Sequence, residues 1–301
     1  MILNNFPFAI PFTFTSVDDD FRRSAPQRIP YNLAVYGITL SVSSTPQAGF
    51  YHANVQFQNF QTGDVLFDES VTNACIQTDA RTYFRLPSKW FIRKNETIIC
   101  SLNSFDSVAS RTYYITLLAY IVDSDPNPGM QPFIYSFQIP IGFQDNVGGS
   151  TTGPVYNQGL TGTQAKHMLH DFDLHGFVLD PWGGDPVLLT GVPEDTPSMA
   201  FQISTQRRKL FDRFIIDGCA GGGFIFSQGD VIPWMAGTAA SVYGFPQFNS
   251  LQYWLPQAER IPKGELVRVD ISPAPTYVDT NDIHTVFNQV CTMALIGNHI
   301  G

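Results

Sequence analysis

The sequence predicts an all-β protein made of two tandem antiparallel β-sandwich domains. Three observations predict it. The chain holds 25 Phe, 24 Gly and 21 Pro among 301 residues, a composition rich in strand fillers and turns and poor in helix formers. Its recognisable segments, such as "AVYGITLSV", "ANVQFQNF", "ETIICSL" and "ELVRVDI", alternate apolar and polar residues with period 2. Finally, a series of short phrases occurs twice in the same order, as expected of an internal duplication.

The first repeated phrase is "FAIPFTF" at 8–14, which returns as "FQIPIGF" at 137–143. The second is "NLAVYGITL" at 32–40 against "DFDLHGFVL" at 171–179. It pairs Leu33 with Phe172, Val35 with Leu174, Gly37 with Gly176, Ile38 with Phe177 and Leu40 with Leu179. The third is "LPSKWFIRKNETIICSL" at 86–102 against "LPQAERIPKGELVRVDI" at 255–271, with five identical pairs: Leu86/Leu255, Pro87/Pro256, Ile92/Ile261, Lys94/Lys263 and Glu96/Glu265. Asn95 stands opposite Gly264, and both residue types tolerate the left-handed backbone of a tight turn. After that turn, Ile98, Cys100 and Leu102 fall on one strand face, as do Val267, Val269 and Ile271. Each half closes on an apolar strand, "YYITLLAYIV" and "QVCTMALIG".

The first half divides into strands near 8–14, 32–42, 53–60, 64–68, 71–76, 81–86, 96–102 and 113–122. Seven or eight short strands in about 120 residues suit a sandwich of either immunoglobulin-like or jelly-roll order. Alternation does not record strand order, so both stay open here. The boundary is set at 1–130 and 131–301, in the Pro- and Gly-containing link "DSDPNPGMQP" at 123–132. The second half gains roughly 30 residues between its Gly-containing strand and its Leu-Pro strand, and insertions of that size belong in loops. They are assigned to the Gly-rich, aromatic stretch 217–250. The best helix candidate is 206–214.

Composition also excludes classes. The formal net charge is −9, with 5 Lys and 12 Arg and no basic arm. A protein that grips phosphate backbones needs clustered cations, so direct nucleic-acid binding is not expected. Arg207-Arg208-Lys209 reads as a solvated loop. Cys75, Cys100, Cys219 and Cys291 show no metal or disulfide spacing and read as reduced residues. The opening "MILNNFPFAIPF" lacks the features of a signal peptide. The run "ITLLAYIV" is far too short to span a bilayer. The expectation is a soluble product made in a cytoplasm.

No chemical motif stands out. "HMLHDFDLH" offers His167, His170, Asp171, Asp173 and His175, but Asp171, Asp173 and His175 occupy the polar side of an alternating strand and read as a solvent or interface face. "DSDPNPG" departs from a calcium loop at its Gly, its prolines and its twelfth position, Ile134. "GCAGGG" at 218–223 has neither the spacing nor the context of a nucleotide loop. Asp18-Asp19-Asp20 reads as a solvated acidic run. No nucleophile motif, cofactor site or metal site is expected.

Taken together, the duplicated strands, the absence of enzyme motifs and the Leu-Pro-x-x-x-x-Ile-x-Lys-Gly-Glu-x-Val-x-Val phrase resemble bacteriophage virion structural proteins. These are tandem β-sandwich or double jelly-roll proteins that serve as capsid, minor capsid or decoration proteins. The resemblance implies a non-enzymatic protein located in the virion and synthesised in the host cytoplasm. It would form or decorate the capsid shell through contacts with its own copies and other virion proteins. Phe6, Phe8, Ile10 and Phe12 are then expected as assembly contacts, on an arm or edge strand covered on assembly. The first alternative is a glycan-binding host-attachment protein, with Trp182, Trp234 and Tyr243 as the loop contact surface. The second is a polysaccharide-active enzyme.

Overall fold

A computed structural model describes residues 5–16, 21–43, 53–69, 71–76, 83–104, 111–143, 162–180, 199–210, 215–217, 252–273 and 287–301. In the first half these form β1 (Pro7–Ser16), β2 (Phe21–Arg23), β3 (Gln27–Arg28), β4 (Leu33–Ser43), β5 (Ala53–Asn59), β6 (Val71–Thr72), α1 (Asn73–Ile76), β7 (Phe84–Ile92), β8 (Thr97–Ser104) and β9 (Arg111–Ile121). The second half supplies β10 (Met130–Phe143), β11 (Gly162–His167), β12 (Asp171–Asp180), β13 (Met199–Thr205), β14 (Ile215–Asp217), β15 (Tyr253–Ile261), β16 (Leu266–Pro273) and β17 (Phe287–Ile300).

Strand order decides between the two sandwich types. One sheet of the first half runs β1-β9-β4-β7 and the other β2-β8-β5-β6, with β3 also on β8. In the second half the orders are β10-β17-β12-β15 and β11-β16-β13-β14. Counting β2 and β3, both paired to β8, as one strand gives eight in each half, and both halves read 1-8-3-6 and 2-7-4-5, all antiparallel, which is jelly-roll order. Each pair of sheets encloses an apolar core. Ile10, Phe12, Leu40, Ile115 and Leu117 meet Val55, Phe57, Ile98, Cys100 and Leu102 in the first. Phe133, Tyr135, Phe137, Phe172 and Leu295 meet Phe201, Ile203, Val267, Val269 and Ile271 in the second.

The matched phrases land on matching devices. Asn95 and Gly264 take φ of 71° and 81°, both in the left-handed region. Each turn is held by the same three backbone bonds. Glu96 N–H donates to Arg93 O at 3.1 Å, Asn95 N–H to Ile29 O at 2.7 Å, and Ile29 N–H to Glu96 O at 2.8 Å. Glu265 donates to Pro262 at 3.1 Å, Gly264 to Met168 at 2.8 Å, and Met168 to Glu265 at 3.0 Å. β4 and β12 each carry a register shift at the matched glycine, between Val35 and Gly37 and between Leu174 and Gly176. The Leu-Pro pairs sit inside β7 and β15 rather than ending a strand. Both are edge strands, and Pro87 and Pro256 fall in the stretch skipped by the shift, where no ladder N–H is needed.

Several expectations change. The phrases at 8–14 and 137–143 occupy corresponding strands, β1 and β10, but not corresponding registers. Ile10 faces Leu117, which faces Ile38; Tyr135 faces Leu295, which faces Phe177. Ile10 thus corresponds to Tyr135, four residues before Ile139, and an even slip keeps the same face inward. Residues 64–68 form no strand, because the Gln56 side chain takes the place of a ladder partner: its amide donates to Phe67 O at 2.8 Å and its oxygen accepts Phe67 N–H at 3.3 Å. The segment 71–76 divides between β6 and the single turn α1. The strand expected at 81–86 runs instead to Ile92. No helix forms at 206–210, where the Thr205 hydroxyl accepts the N–H groups of Arg207 and Arg208 in a tight turn. β10 begins at Met130, inside the expected link. The insertion at 218–250 and the acidic run Asp18-Asp19-Asp20 lie outside the described residues.

The two glycines at the shifts are not equally replaceable. A Cβ on Gly176 would strike the backbone carbonyl of Tyr253, whereas on Gly37 it would first strike the ring of Tyr83, which is 43% exposed and can swing away. Gly176→Ala is therefore expected to cost about 2–3 kcal/mol and Gly37→Ala about 1 kcal/mol or less, checked by urea denaturation midpoints.

Candidate functional site

In the described residues the feature that calls for partners is the seam between the two sandwiches. Sheet β10-β17-β12-β15 turns one face to its own core and the other to the first half. Residues 292–298 of β17 and 132–137 of β10 are buried without alternation. Ile134, Val178, Ala294 and Ile296 point away from the second core and join the apolar cluster of the first. β7 lies against β10 and β17.

Backbone and side chains tie the seam. Ile134 forms a parallel bridge to the first half: its N–H donates to Leu66 O at 3.1 Å and its carbonyl accepts Asp68 N–H at 3.0 Å. The Asp68 carboxylate accepts Ser136 N–H at 2.6 Å and the Lys166 ammonium at 2.6 Å. Gln252 makes a reciprocal pair with the Arg85 backbone, accepting its N–H at 2.9 Å and donating to its carbonyl at 2.7 Å. The Arg85 guanidinium lies 5.3 Å from the Trp254 ring centroid. Deeper in, the Ser88 hydroxyl donates to Asn298 Oδ1 at 2.7 Å, and Asn298 Nδ2 lies 3.1 Å from Nε2 of His175.

Electrostatics at the seam is governed by burial. Burial raises the Asp68 pKa above the usual carboxylate value, although Lys166 and two backbone amides oppose it. Desolvation therefore outweighs the ion pair, so Lys166 prevents a cost more than it adds stability. Burial also lowers the His175 pKa, against the pull of Asp173. On the other face of the same sheet, His299 is pushed down to about 4 by burial and then by His170. Its ring stacks on Phe133 at 4.0 Å.

The expected site residues separate. Ile10 and Phe12, 1% and 2% exposed, fill the chain's own core, so they are not assembly contacts: the inward face of β1 is already covered by β5 and β8. Phe8 packs partly against that core, edge-on to Tyr31 at 6.1 Å. Phe6 alone of the four is open, at 56%. Trp182, Trp234 and Tyr243 lie outside the described residues. The histidine-carboxylate segment disperses: Asp173 pairs with Arg260, Asp171 accepts Lys263 N–H at 2.8 Å, and His175 joins the seam. No group of three metal-ligating side chains converges among the described residues. No described helix is long and apolar enough to cross a membrane. Ser88, Asp68 and Lys166 carried no sequence signal. β17 did, because an unalternated run such as "MALIG" marks a strand covered on both faces.

No family model matches the chain, and no curated protein matches it. Among solved structures, it is similar to the STIV MCP at 9% identity and TM-score 0.40, over 98% of this chain and 96% of that one. It is similar to the major capsid protein P2 from bacteriophage PM2 at 10% identity and TM-score 0.39, over 97% and 98%. PNGase F, a glycosylasparaginase from Flavobacterium meningosepticum, stands at 13% identity and TM-score 0.38, over 100% and 94%. Capsid proteins and an amidase thus stand at one level of likeness, and the reading of function rests on the chain's own geometry.

The seam yields one direct test. Lys166→Met leaves the Asp68 carboxylate, 13% exposed, without its cation. At neutral pH a loss of about 2–3 kcal/mol is expected, less than for a fully buried pair. An acid with a raised folded pKa costs stability above its unfolded value, so the penalty should shrink on acidification toward pH 4. Denaturation of the variant and the parent at several pH values checks both.

Proposed function

We propose that this chain is a non-enzymatic virion structural protein of a bacteriophage: two jelly-roll domains, 1–130 and 131–301, that arose by internal duplication. It forms or decorates the capsid shell through contacts with its own copies and with other virion proteins.

One observation supports the reading above the rest. Strands β10 and β17 have their outer face covered by the first half, while no described element packs over the corresponding face of β9 and β4, where Tyr36, Thr116, Leu118 and Tyr120 are half-buried. By register, Leu118 corresponds to Ile296, Thr116 to Ala294, Tyr120 to Asn298 and Tyr36 to His175. Tyr83 and Tyr114 there are 43% and 49% exposed. None of the four strands contains an Asp or Glu, in a chain of net charge −9. An open sheet face free of carboxylates suits a covering partner. The internal seam names its occupant: a second copy, presenting β15 as β7 is presented within the chain. A contact of that head-to-tail kind propagates into rings or larger arrays, as a shell requires. Phe6, 56% exposed just before β1, and Phe8 beside the first core are proposed as further contacts at the edge of this sheet.

Two measurements test the proposal. Leu118→Arg with Tyr114→Asp should leave the folded chain's Tm within about 2 °C, since both side chains point outward. The same variant should convert the oligomers seen by analytical ultracentrifugation into monomers. A parent chain that stays monomeric at high concentration would remove the contact. In purified particles the protein should be present in tens to hundreds of copies; a dozen or fewer would overturn the shell role.

A further inference from the structure

The end of β17 places imidazole acceptors on both sides of one strand. Asn298 faces the seam and His299 the second core. On the seam side, Asn298 uses its oxygen for the Ser88 hydroxyl, so its amide N–H is the group directed at Nε2 of His175. On the core side, the Tyr135 hydroxyl lies 3.0 Å from Nε2 of His299 and accepts Leu169 N–H at 3.3 Å. That hydroxyl still has its own proton to place, and Nε2 of His299 lies within reach to accept it. With both Nε2 atoms in the acceptor role, each neutral ring carries its proton on Nδ1.

A proton arriving at either Nε2 would meet a donor. At His175, Asn298 would have to turn its amide over and remake its bond to Ser88. At His299, the hydroxyl of Tyr135 would have to turn away from the ring while still holding Leu169.

We propose that the end of β17 is a proton-operated latch: neutral His175 and His299 hold the strand end and its Ser88 contact closed, and their protonation releases both.

Among the charged neighbours Asp173 pulls His175 toward its protonated form, and burial outweighs that pull. Asp173, the carboxylate nearest His175 along its strand, is held by Arg260 of β15, and Asp171 is bonded to the backbone of Lys263. The cations of β7 are Arg85 and Lys89. His170 lies 4.6 Å from His299 ring to ring, and its own charge would repel a second. Asp68, which acts on Tyr135, is already paired with Lys166. Burial depresses both pKa values, that of His299 to about 4. A depressed folded pKa means that the unfolded chain binds the proton first. The stability these rings contribute is thus complete above pH 6.5 and is lost as pH falls from there toward 4.

The latch stands whether or not the chain builds a shell, because its readouts use the folded chain alone. Urea midpoints at pH 7.5 and 4.5 would be compared for the parent chain and for His175→Gln/His299→Gln, in which amide oxygens keep the acceptor roles without titrating. The parent midpoint should fall across this interval, and the double variant should lose less than half as much. Equal losses would overturn the latch. Should the double variant fail to fold, nitrogen NMR of the parent decides: Nδ1–H tautomers at pH 7.5 for both rings support the latch, and Nε2–H tautomers overturn it.

Discussion

The structure depends on one constraint: two strands of one sheet, β10 over 132–137 and β17 over 292–298, are buried on both faces. A strand in that position has no side on which to place a charge. β10 and β17 accordingly contain no Asp, Glu, Lys or Arg over their whole length. An unpaired buried polar group there costs about 1–3 kcal/mol; Ser136 Oγ and Thr292 Oγ1 have no partner among the described residues, whereas the others named here do. Ser88 answers Asn298, Asn298 answers His175, and Asp68 answers the backbone of Ser136. The glycine at 297 belongs to the same constraint, because a Cβ there would meet the Phe172 ring and the Asp173 carbonyl.

The two halves reach the same strand order with the same small devices. A left-handed residue closes the turn before β8 and before β16, and the backbone of one buried residue, Ile29 or Met168, clamps it. A register shift bends β4 and β12 at a glycine. What differs is the outer face. At the shift the first half carries Tyr36, stacked with Tyr120 at 6.1 Å, and the second carries His175, bonded to Asn298. The aromatic version lies on an open face and the hydrogen-bonded version on a covered one. Apolar rings tolerate either setting; a buried amide and imidazole need fixed partners.

Much of this was legible in the residues. Alternation located most of the strands and their inward faces: Ile98, Cys100, Leu102, Val267, Val269 and Ile271 are all buried as read. The pairing of Asn95 with Gly264 marks a left-handed turn in the sequence itself. The phrase at 8–14 and 137–143 led to the right strands in the wrong register, because a period of two does not distinguish a strand from itself moved by four. The expectation that Ile10 and Phe12 meet another subunit failed for a related reason. An inward face and an interface face read alike along a strand, and only the opposing sheet shows which one is already filled.

The sequence by itself determined the all-β class, the turns and the faces of the individual strands, since these follow from local sterics and period. Only the tertiary structure decided the jelly-roll order, the burial of β10 and β17 on both sides and the meeting of Ser88, Asn298 and His175. Those depend on which strands lie side by side across long sequence separations, 210 between Ser88 and Asn298 and 123 between His175 and Asn298, and no local pattern encodes a neighbour at that distance.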